Sequence, residues 1–144
     1  MSTRADAPDL PADWLHTRVC GLRLRTRRRA FDAVLDIVGA PPGAPLVSRS
    51  LPAGEPLDHA LRVDLLLSLY DDARGAASGA LHLVVTRPGP VVLETSDLAW
   101  RFAWATACAV AGDEAGTTAV VTRYGFVDVA SGACVRTPLR RHRR

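Results

Sequence analysis

As a pattern of apolar and polar positions, the chain is densest in core-type residues over 81–112, LHLVVTRPGPVVLETSDLAWRFAWATACAVAG. Residues 81–85 form a short continuous apolar run, the signature of a strand covered on both faces. Pro88, Gly89 and Pro90 break that run. Thr95 or Ser96 can cap the helix that follows, with Asp97 suiting the positive end of its dipole. Over 98–110 only Arg101 and Thr106 interrupt the apolar residues, so the pattern predicts a helix sandwiched in the core and stopped by Gly112. Trp100 and Trp104, four apart, share one face of it.

The rest of the chain is less emphatic. Residues 1–17, with Pro8 and Pro11, read as a flexible polar arm that Trp14 and Leu15 dock. RVCGLRLR, residues 18–25, sets Cys20, Leu22 and Leu24 against Arg23 and Arg25, an alternation that predicts a half-exposed edge strand. Thr26 is placed to cap a helix ending near Val38, with Phe31, Val34, Leu35 and Val38 at helical spacing and Gly39 as its stop. A short strand is expected over 46–51, then a helix over 57–73 with Leu57, Leu61, Leu65 and Leu69 on its stripe. Beyond the central helix the pattern predicts strands over 117–122, 126–129 and 133–136, the first two joined by a turn at Arg123, Tyr124 and Gly125. This order predicts a single α/β domain over 18–136, three-layer-like, with a mixed sheet and about three helices. The arm, 1–17, and a basic tail, 137–144, flank it.

Composition narrows the chemistry. A chain of 144 residues that is 48% hydrophobic can bury one real core. Its start shows no apolar run behind a basic head, as a signal peptide requires, and no segment reaches the ~20 apolar residues of a membrane span. Cys20, Cys108 and Cys134 have no CxxC or metal spacing. A reducing cytoplasm is the expected compartment. All 18 basic residues are arginine, and lysine, asparagine and glutamine are absent. That excludes a P-loop lysine and a Schiff-base lysine, and adenine cannot be read by an amide side chain.

Charge is segregated along the chain. Arg27, Arg28 and Arg29 lie in one basic flank, and Arg140, Arg141, Arg143 and Arg144 in the other; these are the candidate phosphate contacts. Residues 30–135 carry twelve carboxylates against six arginines. Repulsion from that acidic body makes nucleic acid a possible partner but not the favoured one.

The central stretch resembles the carboxyl half of the RadC-like branch of the JAB/MPN family, over roughly residues 57–129. In that family a strand ends in His-x-His-Pro, a serine lies seven residues beyond the proline, and an aspartate lies ten beyond it at a helix start. Here Val85, Thr86, Arg87 and Pro88 stand at the motif, with Thr95 at the serine position and Leu98 at the aspartate position. TTAVVTRYGFVDV is similar to the family's closing strand pair. Catalytic members bind zinc through the two histidines and the aspartate. With Val85, Arg87 and Leu98 at those positions, the resemblance implies a degenerate, metal-free relative that needs no cofactor.

Other candidate chemistry is sparse. Asp58 and His59, near a predicted helix start, are a possible acid–base pair, more simply read as capping on a solvated turn. His82 sits within the predicted central strand, where a hydrogen-bonded core histidine is the simpler reading. HExxH, GxSxG and GxGxxG are absent. Arg87 and Gly89, with Thr95, Ser96 and Asp97 across the turn, lie at the carboxyl end of a central strand, where open α/β sheets place ligands. They are the candidate site for a small anion. The expected function is therefore binding rather than catalysis, with an unknown protein or a small anion as partner. A nucleic-acid accessory role and a hydrolase built from Asp58, His59 and His82 are the alternatives.

Overall fold

Pro11 starts the first helix. The computed structural model describes residues 10–139 apart from 54, 55 and 78, and in it α1 runs over Ala12–Arg25 with Pro11 at its N-cap. Proline is favoured at a helix start because the missing N–H has no intrahelical partner there. Asp13 in the first turn and Arg23 and Arg25 in the last suit the dipole. The strand expected over 18–25 is therefore helix, and the arm expected over 1–17 gives up its last residues to it. Leu15, Val19 and Leu22 are the buried stripe, a helical spacing that a reading begun at residue 18 cuts in half. Residues 1–9 and 140–144 lie outside the described part.

The helix expected over 26–38 is replaced by an irregular segment and the strand β1, Ala33–Val38. Val34, Asp36 and Val38 alternate with Leu35 and Ile37, so a period of two overrides the helical spacing that includes Phe31. The strand β2, Val47–Leu51, pairs antiparallel with β1 at the sheet's edge. The remaining elements fall close to expectation: α2, His59–Arg74, and β3, His82–Thr86, precede α3, Thr95–Val110. The strands β4, Thr118–Val121, β5, Gly125–Asp128, and β6, Ala133–Arg136, close the chain.

The six strands form one mixed sheet in the order β2-β1-β3-β4-β5-β6. Only β3 and β4 are parallel; the other neighbours are antiparallel. Leu35, Ile37, Leu83, Val85, Val120 and Val127 face α2 and α3 in the larger core. Val38, Val84, Ala119, Val121 and Phe126 face α1 in the smaller one. The result is the expected three layers, with two helices on one face and one on the other.

Two stripe predictions shift. α2 buries Val63, Leu66, Leu69, Tyr70 and Ala73, whereas Leu61 is half exposed. α3 buries Trp100, Ala103, Trp104, Ala107 and Cys108. It is not sandwiched all round, because Phe102 and Val110 are 58% and 67% exposed.

α1 is tied down by three of its own polar side chains, Arg18, Arg23 and His16. Arg18 Nη2 donates to the buried Asp36 at 3.0 Å, and Ser48 Oγ donates to the same carboxylate. Arg23 donates to the carbonyls of Arg123 (2.6 Å), Thr137 (2.6 Å) and Pro138 (3.1 Å). His16 Nδ1 and Thr137 Oγ1 share a 2.7 Å hydrogen bond. Two of the six arginines over residues 18–29, Arg18 and Arg23, are thus fixed inside the fold.

Candidate functional site

The sheet topology gathers its useful loops at one end. The carboxyl ends of the parallel strands β3 and β4 lie there. Because β1 and β5 run antiparallel to them, the segment before Ala33 and the turn before Gly125 arrive at the same end. Leu51 sits opposite Ala33, and Arg136 opposite Gly125. α2 follows β2 and α3 follows β3, so both helices also start there.

The expected anion site at Arg87 is closed. Arg87 is 6% exposed and Asp97 is fully buried. The guanidinium grips the carboxylate bidentately, Nε to Oδ1 and Nη2 to Oδ2, both at 2.9 Å. Its remaining N–H groups donate to the carbonyls of Pro88 (3.1 Å), Pro90 (3.2 Å) and Val92 (2.8 Å). Glu94 Oε1 lies 3.5 Å from Nη1. Burial alone would lower the Arg87 pKa, but the hydrogen bonds and charge of Asp97, with Glu94, raise it above its ordinary value. An arginine with every donor engaged has none left for a ligand. Arg87 and Asp97 instead staple the Pro-Gly turn to α3.

Thr95 and Ser96 are exposed in the first turn of α3, but neither caps it. Glu94 is the N-cap, and its side chain and that of Asp97 complete a reciprocal capping box, with Glu94 N–H donating to Asp97 at 2.9 Å. Of the five residues expected to hold an anion, Gly89 alone lines an open pocket. Its φ of 101° is a conformation glycine adopts freely.

The acid–base candidates are separated. Asp58 caps α2 by accepting from Leu61 N–H at 2.8 Å, and His59 is exposed beside it. His82 opens β3 at the opposite end of the sheet, so the strand's length, roughly 13 Å at ~3.3 Å per residue, lies between them. There it is 1% exposed, and its Nδ1 accepts from Thr117 N–H at 2.8 Å. These three residues do not assemble a hydrolytic site. Of the family's zinc positions, Val85 is in the larger core, Arg87 is in the staple and Leu98 packs against the core. Among the described residues no group of three His, Cys, Asp or Glu could hold a metal ion.

What the sheet end does offer is a pocket of about 390 Å³ lined by Arg29, Phe31, Arg123, Tyr124, Arg136 and the 88–91 turn. Among the described residues three arginines line it and no carboxylate does. Arg123 is held loosely through Nη1 by the carbonyls of Arg27 (3.3 Å) and Arg28 (3.5 Å). Its Nε is buried with no hydrogen-bond partner among the described residues. An unmet buried donor costs roughly 1–3 kcal/mol, more when charged, so the fold satisfies this guanidinium only in part. The turn that carries it is pinned twice: Arg23 Nε donates to the Arg123 carbonyl, and Thr122 Oγ1 accepts from Tyr124 N–H at 3.1 Å.

Of the arginines proposed from sequence, Arg29 lines the pocket and Arg27 and Arg28 are exposed beside it. Arg140, Arg141, Arg143 and Arg144 lie outside the described residues. Arg123 and Tyr124 read as a plain turn in the sequence. Only the pairing of β5 with β4 and β6 shows that this turn meets Arg136 and the 88–91 loop.

Comparison with models of known protein families, with curated proteins and with solved structures found no match.

Proposed function

We propose that this chain is a metal-free, non-catalytic binding protein of the reducing cytoplasm, built on a RadC/JAB-like scaffold, and that its ligand is a phosphate-bearing anion. The observation that carries the proposal is the pocket at the sheet end, where, among the described residues, Arg29, Arg123 and Arg136 converge without a carboxylate and Arg123 Nε lacks a partner. Guanidinium groups match phosphate oxygens in geometry and stay charged at every physiological pH. Among the described residues no histidine, carboxylate or cysteine lines the pocket, and those that do line it are unsuited to general acid–base or nucleophilic work at neutral pH. Tyr124, partly exposed at the rim, adds a flat apolar face beside the cations.

Isothermal titration with tripolyphosphate tests this reading. One saturable site is expected, with affinity falling at least about tenfold in the Arg29→Ala/Arg136→Ala protein, a loss of ~1.4 kcal/mol. No orthophosphate should be released on prolonged incubation. Absence of binding, or turnover of the polyphosphate, would overturn the proposal.

A further inference from the structure

We infer that the Arg123 pocket is one end of a longer groove that holds a short stretch of single-stranded nucleic acid. The inference rests on the anion-binding reading above and names the ligand class. A second pocket, of about 840 Å³, shares Phe31 and Pro88 with the first, so the two meet at those side chains. It is lined by Arg49, Ser50, Leu57, Arg62 and Trp100 among others. Arg62 has the same unmet need as Arg123: its Nε is buried with no hydrogen-bond partner among the described residues, and its guanidinium lies 5.5 Å from the centre of the Trp100 ring. Each half of the groove therefore contains one arginine whose guanidinium the fold engages only in part.

Size and charge choose the ligand. Together the two voids exceed the ~300–1,000 Å³ of a compact small-molecule site. Arg136, Arg123, Arg29, Arg49 and Arg62 are spread along them, and among the described residues Asp64 is the one carboxylate in the lining. Phe31 at the junction and Tyr124, 43% exposed at one end, interleave aromatic faces with the cations. Cations that follow a phosphate backbone and rings that stack on bases are the two components of single-strand binding. The site is concave, whereas major-groove readers of duplex DNA insert a helix or ribbon. No asparagine or glutamine exists to read adenine, so binding should tolerate sequence.

Part of the acidic body is neutralised within the fold or lies away from the groove. Asp36 and Asp97 are buried in ion pairs with Arg18 and Arg87. Asp113 pairs with Arg74 at 3.1 Å, beyond the carboxyl ends of α2 and α3, and Asp71 and Asp72 lie in the last turn of α2. All three are at the far end of the sheet from the groove. At the groove's own end the described carboxylates are Asp32, Asp58, Asp64 and Glu94, against the five arginines that line it.

Fluorescence anisotropy with labelled oligo(dT) and oligo(U) of increasing length provides the test, with a DNA duplex and tripolyphosphate alongside. Affinity should rise up to about four to six nucleotides and then level off, within the span known for single-strand grooves. It should fall with log salt at a slope of about −0.7 per phosphate contacted. Arg49→Ala and Arg62→Ala should each weaken the longer oligonucleotides about tenfold and leave tripolyphosphate binding unchanged. Tyr124→Ala should cost about tenfold or more, while Tyr124→Phe retains binding. Arg49 is exposed on an edge strand, so its variant is expected to fold, and circular dichroism checks this. If tripolyphosphate binds but oligonucleotide length has no effect, or duplex binds as tightly, the groove inference fails and the anion reading stands. If neither polyphosphate nor oligonucleotide binds, both fail.

Discussion

Replacing Arg87 with methionine keeps an unbranched apolar stem and deletes the guanidinium that staples the Pro-Gly turn. Of the bonds described above, Asp97 then keeps the one from Glu94 N–H, and the carbonyls of Pro88, Pro90 and Val92 lose their donor. Breaking a buried ion pair from one side costs about 3–5 kcal/mol, because the surviving charge is left without compensation. Against a total stability of roughly 5–15 kcal/mol for a domain, that is a large fraction. Asp97→Leu should cost a comparable amount, since a buried guanidinium is then stranded. The double variant should cost less than the sum, by at least about 1 kcal/mol, because neither charge remains. The Arg87 pKa is raised in the fold. Its stabilisation is therefore complete at any pH below the ordinary guanidinium pKa and is lost only as pH climbs through the higher folded value. Urea melts at neutral pH, with equal m-values confirming two-state behaviour, give all three numbers. Single variants within about 0.5 kcal/mol of the parent, or singles that simply add, would refute the staple.

Trp104 is fully buried between the helices and the sheet, so Trp104→Ala should cost about 3–5 kcal/mol, whereas Phe102→Ala, on the exposed side of α3, should stay within ~0.5 kcal/mol in the same melts. The Cys108 thiol is pushed up from 9.0 to about 12, first by burial and then by Asp113. The unfolded chain then loses this proton before the folded one does, so stability should fall between those pH values, and Cys108→Ala should flatten that part of the alkaline melt series. At pH 8 a thiol reagent should modify the exposed Cys134 and spare Cys108. Elemental analysis of purified protein should find no stoichiometric zinc; about one tightly held zinc per chain would revive the enzymatic reading of the RadC/JAB resemblance.

The sequence was most legible where apolar runs are long and their punctuation strong. The 81–112 stretch shows its strand, its Pro-Gly turn and its helix because each has several residues agreeing on one period. The amino-terminal third misleads for physical reasons. Pro11 opposes a helix only from inside it, and at the start it does the reverse. Over 33–38 six residues satisfy both periods in part, and pairing with β2 and β3 decides for strand. The candidate site was less legible still. Arg87 stands where a ligand-binding residue would, but Asp97, ten positions later, takes its donors. Arg18 and Arg23 contribute to an apparent basic patch, yet they bond inward to Asp36 and to backbone carbonyls. The arginines that do face a pocket come from positions 29, 123 and 136, and only the strand order brings those together.

The central claim, that the Arg29–Arg123–Arg136 pocket exists to hold an anion, is tested most directly at the arginine Nε–H groups themselves. Nitrogen–proton spectra of the side-chain Nε–H signals, recorded while tripolyphosphate is added, report each guanidinium separately. The account predicts that the Arg123 Nε–H signal moves saturably, with Arg29 and Arg136 following the same curve, while the Arg87 signal, held by Asp97, stays in place. A static Arg123 signal, or an equal drift of every arginine, would contradict it.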